Sequence, residues 1–198
     1  MNERVDGRKQ RFEHRRGEVL RAATEHALDH GLDELSLRKI AQTVGVSHAT
    51  LVHHFGTKEQ LVAEIVELVL AGTLAVPDLP QDDPDPLRTI WRRATADRGR
   101  RYVKLFVAIT GQAMHGDEAL VNAVAASMRQ RTNLLAEGLA RNGCPPSRTQ
   151  AVATALLAGL RGLFVDLVTT GDTDRVDAAF EDMLAELKHR LADWAGRP

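Results

Sequence analysis

Cysteine is nearly missing from this chain. Cys144 stands alone, so no internal disulfide can staple the fold, which must rest on its core. Aromatics are scarce, with 5 Phe, 2 Trp and 1 Tyr among 198 residues, so aliphatic side chains must fill that core. Net charge is small: 26 Lys+Arg stand against 27 Asp+Glu, a balance of -1. That excludes a globally basic nucleic-acid binder, though not a local basic patch. No run approaches the ~18 apolar residues of a membrane helix, and the Met1–Arg4 start has no apolar stretch of the signal-peptide kind. A cytoplasmic protein with no membrane partner is the expectation. Strand-like alternation and internal repeats are absent, and so are a Gly-rich phosphate loop, a nucleophile elbow and an HExxH pair. No catalytic residue set emerges, no cofactor is implied, and the expected class is not an enzyme. His26 and His30 stand four apart, but with one cysteine and no third convergent ligand no metal site is expected.

Alanine and leucine are plentiful instead, and both are strong helix formers. With 43% hydrophobic and 27% charged residues, the chain reads as an ordinary globular all-α protein. The front end is the positive end. Arg4, Arg8, Lys9, Arg11, Arg15 and Arg16 oppose only Glu3, Asp6 and Glu13, six minus three, or +3 over residues 1–16. Phe12, Val19, Leu20, Ala23 and Ala27 then follow a helical spacing that Gly31 ends. Ser36 suits the N-cap of a short helix from Leu37 to Val44. Gly45 stops it, Ser47 caps the next helix to His54, and Thr57 caps a longer one from Lys58 to Val76. Four prolines in 77–86 break the chain. Beyond them, Leu87–Ala96, Arg100–His115, Asp117–Asn142, Ser147–Thr170 and Thr173–Trp194 read as helices, about nine in all.

Two short helices meeting across Gly45-Val46-Ser47 make a helix-turn-helix unit, residues 37–54. Ile40, Val44, Val46 and Leu51 supply its small core, and Ala41 lets the second helix approach the first. His48, Ala49, Thr50, Val52, His53 and His54 remain for the surface of the second helix, which can enter a DNA major groove.

From Arg15 to Leu61 the chain resembles the DNA-binding domain of the TetR (tetracycline-repressor) family. The residues that carry this are Val19-Leu20-x-Ala22-Ala23, Gly31, Leu35-Ser36-Leu37-Arg38-Lys39-Ile40-Ala41, Val44-Gly45-Val46-Ser47, Thr50-Leu51, and His53-His54-Phe55-x-x-Lys58-Glu59-x-Leu61. Two positions depart from the pattern. Val52 replaces a usual tyrosine that reaches a phosphate, and His26-Ala27 replaces a Leu-Phe pair, with Leu28 placed to compensate. The expected organisation is a DNA-binding domain over 1–57, including a basic arm over 1–14, and a helical ligand-binding and dimerisation domain over 58–198.

Roles follow from chemistry. Lys58 starts the fourth helix, where an ammonium joins free N–H groups and a positive dipole end to suit a phosphate, as the resemblance also implies. Arg38, His48, Thr50 and His53 are candidates for base edges or phosphates. Ser47 is a phosphate candidate as well as a cap. Arg4, Arg8, Lys9 and Arg11 are placed to follow a groove.

The resemblance further implies a homodimer and a small-molecule effector. Ala155, Gly159 and Leu163, with Phe180, Leu184 and Leu187, are the expected dimer interface. Trp91, Phe106, Thr110, Met114, Met128, Leu135 and Phe164 are the expected lining of an effector pocket. Few charges fall on those faces, which points to an apolar or amphipathic ligand. The basic run Arg88, Arg92, Arg93, Arg98, Arg100, Arg101 and Lys104 reads as a solvated face balancing nearby aspartates, with an anion site as the alternative. Asp166, flanked by Phe164, Val165, Leu167 and Val168, reads as a polar residue at the rim of a helix interface, with a buried carboxylate as the alternative. The expected function is a transcriptional repressor released from a palindromic double-stranded DNA operator by an effector. The competing classes are an all-α enzyme and a DNA-architectural protein without effector control.

Overall fold

A computed structural model describes residues 3–32, 36–73, 83–115 and 118–196, with side chains except at 3–12, 59, 70–73 and 119. Among the described residues there are nine helices and no strand. They are α1 (Glu3–His30), α2 (Leu37–Val44), α3 (His48–Phe55), α4 (Lys58–Thr73), α5 (Pro86–Thr95), α6 (Asp97–Ala113), α7 (Glu118–Arg141), α8 (Thr149–Thr170) and α9 (Thr173–Ala195).

The local signals act as expected. Ser36 Oγ accepts the Lys39 N–H at 3.1 Å and Ser47 Oγ accepts the Thr50 N–H at 3.0 Å, each satisfying an orphan donor of a first turn. Thr57 and Gln60 form a reciprocal pair. The Gln60 N–H reaches Thr57 Oγ1 at 3.2 Å, and the Thr57 N–H reaches Gln60 Oε1 at 3.0 Å, a capping box. Gly45 adopts φ 69°, and Val46 N–H bonds to Ala41 O at 2.9 Å while Gly45 N–H bonds to Gln42 O at 3.3 Å. That double closure turns the chain sharply into α3, and it needs a left-handed residue at Gly45. Gly99 permits another close approach: a Cβ there would lie 2.0 Å from Arg93 O, so α6 can start hard against the end of α5.

The basic arm expected over 1–14 is not separate from α1, because the helix runs back to Glu3. No proline interrupts 3–30, and an acidic residue at the N-terminal end suits the dipole. The side chains of Arg4, Arg8, Lys9 and Arg11 lie outside the described residues. So do 74–82, which hold the end of the expected fourth helix and most of the proline-rich break.

Apolar burial falls into two cores. The first joins Val19, Ala23 and Ala27 of α1 to Ile40, Leu51 and Phe55, then to Leu61, Ile65 and Val69 of α4, and on to Phe106 and Ile109 of α6 and Leu120 and Val124 of α7. Leu28 joins it too, 7% exposed. This core crosses residue 57 without a break, so α4 belongs to the packing on both sides of the division expected there. The second core holds Trp91, Val103, Leu139, Leu156, Leu160, Phe164, Val176, Phe180 and Leu184 from α5 to α9. Both cores include parts of α6 and α7, which therefore connect them.

One expectation is corrected by α8. This 22-residue helix is long and apolar enough to cross a membrane, by length and composition. Its leucines and valines carry the high mean hydropathy, while Arg161 and Asp166 break any unbroken apolar run. In the fold its Val152, Leu156, Leu157, Leu160 and Phe164 are core residues, with Arg161 and Asp166 on its flanks, so it serves as a bundle helix.

Candidate nucleic-acid interface and effector region

The α2–α3 unit turns one side inward and the other to solvent. Ile40, Ala41, Leu51 and Phe55 are buried, which leaves His48, Ala49, Val52 and His53 exposed on α3. Arg38 and Ser47 are also exposed. Thr50 is half-buried, and its hydroxyl lies 2.8 Å from Ser47 Oγ, so both oxygens already serve the cap. Lys58 is exposed at the first turn of α4, beside the end of α3. Arg38 of α2, His48 and His53 of α3 and Lys58 of α4 are therefore all open to solvent, with Ser47 and Thr50 at the turn.

Sequence reading missed what holds that face in place. Arg16 of α1 sets its guanidinium carbon 5.0 Å from the centre of the Phe55 ring. It also donates to His54 O at 3.4 Å and to Glu64 Oε1 at 2.5 Å. One cation thus ties α1 to the carbonyl end of α3, where positive charge is favoured, and to α4. Burial, then His53 and the arginines Arg16 and Arg15, push the His54 imidazole below its ordinary value. His54 is therefore neutral at neutral pH. No local pattern marks Arg16, because its partners lie 38 and 48 residues away.

The expected effector lining divides between the two cores. Phe106 belongs to the first core and Met128 packs on it, whereas Trp91 and Phe164 belong to the second and Leu135 packs there. Thr110 donates its hydroxyl to Phe106 O at 2.9 Å. Met114 is contradicted as a lining residue: it is 80% exposed at the end of α6, where the helix has run past its packing partners. Trp91 is stacked parallel to Phe164 and Phe180, with ring centres 5.3 and 4.5 Å away, and its Nε1 donates to Asp177 Oδ1 at 2.8 Å.

The expected dimer residues also separate. Phe180, Leu184 and Leu187 are 1%, 2% and 6% exposed inside the second core, so they close the bundle of one chain and are not available to a partner. An apolar stripe specifies burial, and here the rest of the chain supplies the cover. Leu163 and Gly159 are half-buried and Ala155 is exposed. Outward on α8, Ala151, Ala155, Ala158, Gly162 and Val165 recur every three or four residues, all exposed.

The basic run after the prolines is spoken for at several positions. Arg88 pairs with Glu181 at 2.5 Å and with Asp85, Arg101 with Asp29 and Glu25, and Arg100 donates to Thr173. Asp166 takes two bonds from Arg175 at 2.7 and 2.8 Å at the rim of the α8–α9 contact, as its pattern suggested. His26 and His30 stack with ring centres 4.4 Å apart. Sequence reading also passed over Arg131 of α7 and Arg161 of α8, half-buried basic residues beside the second core.

Residues 19–65 match the pattern of the bacterial regulatory proteins of the tetR family. Over those residues the chain carries that family's DNA-binding region. The BetI regulator of Rhizobium meliloti (strain 1021) is 28% identical over 158 residues, covering 76% of each chain. The KstR2 repressor of Mycolicibacterium smegmatis is 40% identical over 52 residues, 26% of this chain and 25% of its own. A transcriptional regulator from Rhodococcus sp. RHA1 shares the fold with a TM-score of 0.70 at 19% identity, over 90% of this chain and 95% of that one. The multidrug binding protein EbrR, solved with proflavin, shares it at 0.59 and 22%, over 87% and 99%. The match over residues 19–65 and the likeness to regulators along most of the chain make this protein a DNA-binding transcriptional regulator and not an enzyme.

Proposed function

We propose that two copies of this regulator bind a palindromic DNA operator as a repressor and that a small molecule releases them. The observation that carries the DNA reading is the exposed face of α3 with Lys58 beside it at the start of α4. Phosphate contacts from Lys58 and Ser47 position the protein, and Arg38, His48, Thr50 and His53 meet bases or backbone. Val52, 41% exposed on the same face, offers apolar contact where a hydroxyl is missing. Acting on DNA places the protein in the cytoplasm.

Dimerisation is supported by α8. Its outward row of Ala155, Ala158, Gly162 and Val165 is small and apolar, so a second copy can approach closely and remove that face from water. Effector control is supported by α4, which begins at the DNA face and continues into a core shared with α6 and α7. Phe106, Thr110 and Met128 on the first-core side, and Trp91, Leu135 and Phe164 on the second, remain the candidate surroundings of a ligand between the cores. A ligand releases DNA only to the extent that it prefers the DNA-free arrangement of the two heads.

Selection of bound duplexes from random DNA tests the reading. An enriched inverted repeat, with half-sites about one helical turn apart or a multiple of it, is the expected result. Enrichment of no sequence would leave a non-specific architectural binder, and the proposal would fall.

A further inference from the structure

Along the inward face of α7, Leu120, Val124, Met128, Arg131, Leu135 and Leu139 recur every three or four residues. The first three pack in or on the first core and the last two in or on the second. Arg131 is the one charge in that row, placed where the two cores meet. Its Nε and Nη1 are enclosed and make no hydrogen bond, and the same holds for Nε of Arg161 on α8, the helix packed beside it. No described carboxylate forms an ion pair with either guanidinium. Elsewhere in this protein Arg16, Arg88, Arg101 and Arg175 have carboxylate partners and the half-buried Arg100 donates to Thr95 O and Thr173, so the enclosed nitrogens of Arg131 and Arg161, with no hydrogen bond, stand apart.

A buried cation without a counter-charge is costly, and arginine does not escape by losing its proton at neutral pH. Burial, and then the charge of Arg161, lower the Arg131 value to about 10. Burial lowers Arg161 as well. Both therefore stay charged at pH 7, with fork-shaped donors unused, which is the chemistry that takes a carboxylate or phosphate. Arg131 as a whole is only half-buried, so the pair keeps an open side. Met128 and Leu135, flanking Arg131 on the row, are apolar and flexible enough to meet a hydrocarbon body.

We propose that Arg131 and Arg161 receive the anionic head, carboxylate or phosphate, of an amphipathic small molecule whose apolar body lies against Met128 and Leu135. This rests on the effector reading above and narrows its ligand to one class. It also adds two positive charges to a region that the sequence marked as apolar.

The test is calorimetric titration of the full chain, without DNA, using decanoate, decyl phosphate, decanol and decyltrimethylammonium below their micelle concentrations. At least one anion is expected to bind saturably, with decanol weaker by about tenfold or more and the cation not binding. Which anion binds more tightly separates the carboxylate source from the phosphate source. Arg131→Met is expected to raise the melting temperature of the free protein, because an uncompensated charge is removed, and to weaken the anion about tenfold or more. Arg161→Met and Arg131→Lys provide the same comparison if that variant folds poorly. Binding of neither anion, decanol binding as tightly as both, or unchanged anion affinity in Arg131→Met and Arg161→Met would overturn the proposal. Parallel gel shifts with operator DNA keep the two readings apart. An anion that binds through Arg131 without loosening DNA supports the site and removes its regulatory role. Release of DNA by decanol alone, undiminished in Arg131→Met, overturns the site and leaves effector control standing.

Discussion

Arg101 of α6 donates to Asp29 of α1 at 2.6 Å, and its other arm reaches Glu25 at 3.0 Å. Bonding to Asp29 raises the Arg101 value further, with burial opposing it, so the guanidinium stays charged at every physiological pH. Exposed ion pairs of this kind add little to stability. Their place matters more, because they tie the second half of the bundle to the helix that carries the DNA head. Arg101→Met should leave the melting temperature and the effector-free DNA affinity nearly unchanged. It should alter the change in operator affinity caused by an inducer by about two- to thirty-fold. Gel-shift titrations with and without inducer measure this, and an identical inducer effect in the variant would count against α6–α1 as a coupling route.

Lys58→Ala should weaken binding to all duplexes alike and lower the slope of log affinity against log salt by about one per protomer. Because Lys58 is exposed, thermal denaturation should be unaffected. Substituting His48 should instead shift sequence preference. An unchanged salt slope in Lys58→Ala would remove the phosphate contact.

The two apolar faces near the C-terminus should respond differently to substitution. Phe180→Ala removes a fully enclosed ring and should cost about 3–5 kcal/mol of stability, seen as a fall in the denaturation midpoint. Ala158→Arg adds charge to the outward row of α8 and should leave the fold intact while separating the protomers. Light scattering checks the second, and a dimer that persists in Ala158→Arg would move the interface elsewhere.

Acid should loosen the α5–α9 contact. Burial pushes the Asp85 carboxyl up, but Lys188 at 2.7 Å and Arg88 together hold it below the ordinary carboxylate value. A carboxyl lowered on folding contributes stability that is full above its unfolded value and is lost as pH falls through the folded one. Asp85→Asn should therefore lower the midpoint at neutral pH and flatten its decline under acid. Parallel acid limbs for the two proteins would show that Asp85 contributes nothing to the pH dependence.

The DNA head was legible because its signals are local. Ser36, Ser47 and Thr57 act on backbone groups three residues away, and Gly45 acts on its own turn, so their spacing alone states what they do. The same is true of the helices, whose apolar periodicity declares which side will be buried. Periodicity does not say against what. Phe180, Leu184 and Leu187 of α9 and the row through Ala155, Ala158 and Gly162 of α8 both read as faces seeking cover. Only the packing of α5 and α8 around α9 shows that the first face is covered within one chain while the second is left open. Charge behaves in the same way. Arg16, Arg101 and Arg131 look like other surface arginines in the sequence, since the partners of the first two lie tens of residues away and the third is distinguished by pairing with no described carboxylate. The sequence by itself determined the elements, their caps and the chemistry of the α3 face, because these depend on neighbours along the chain. Tertiary structure decided which apolar stripe is core and which cation is paired, because burial and Coulomb attraction depend on distance in space.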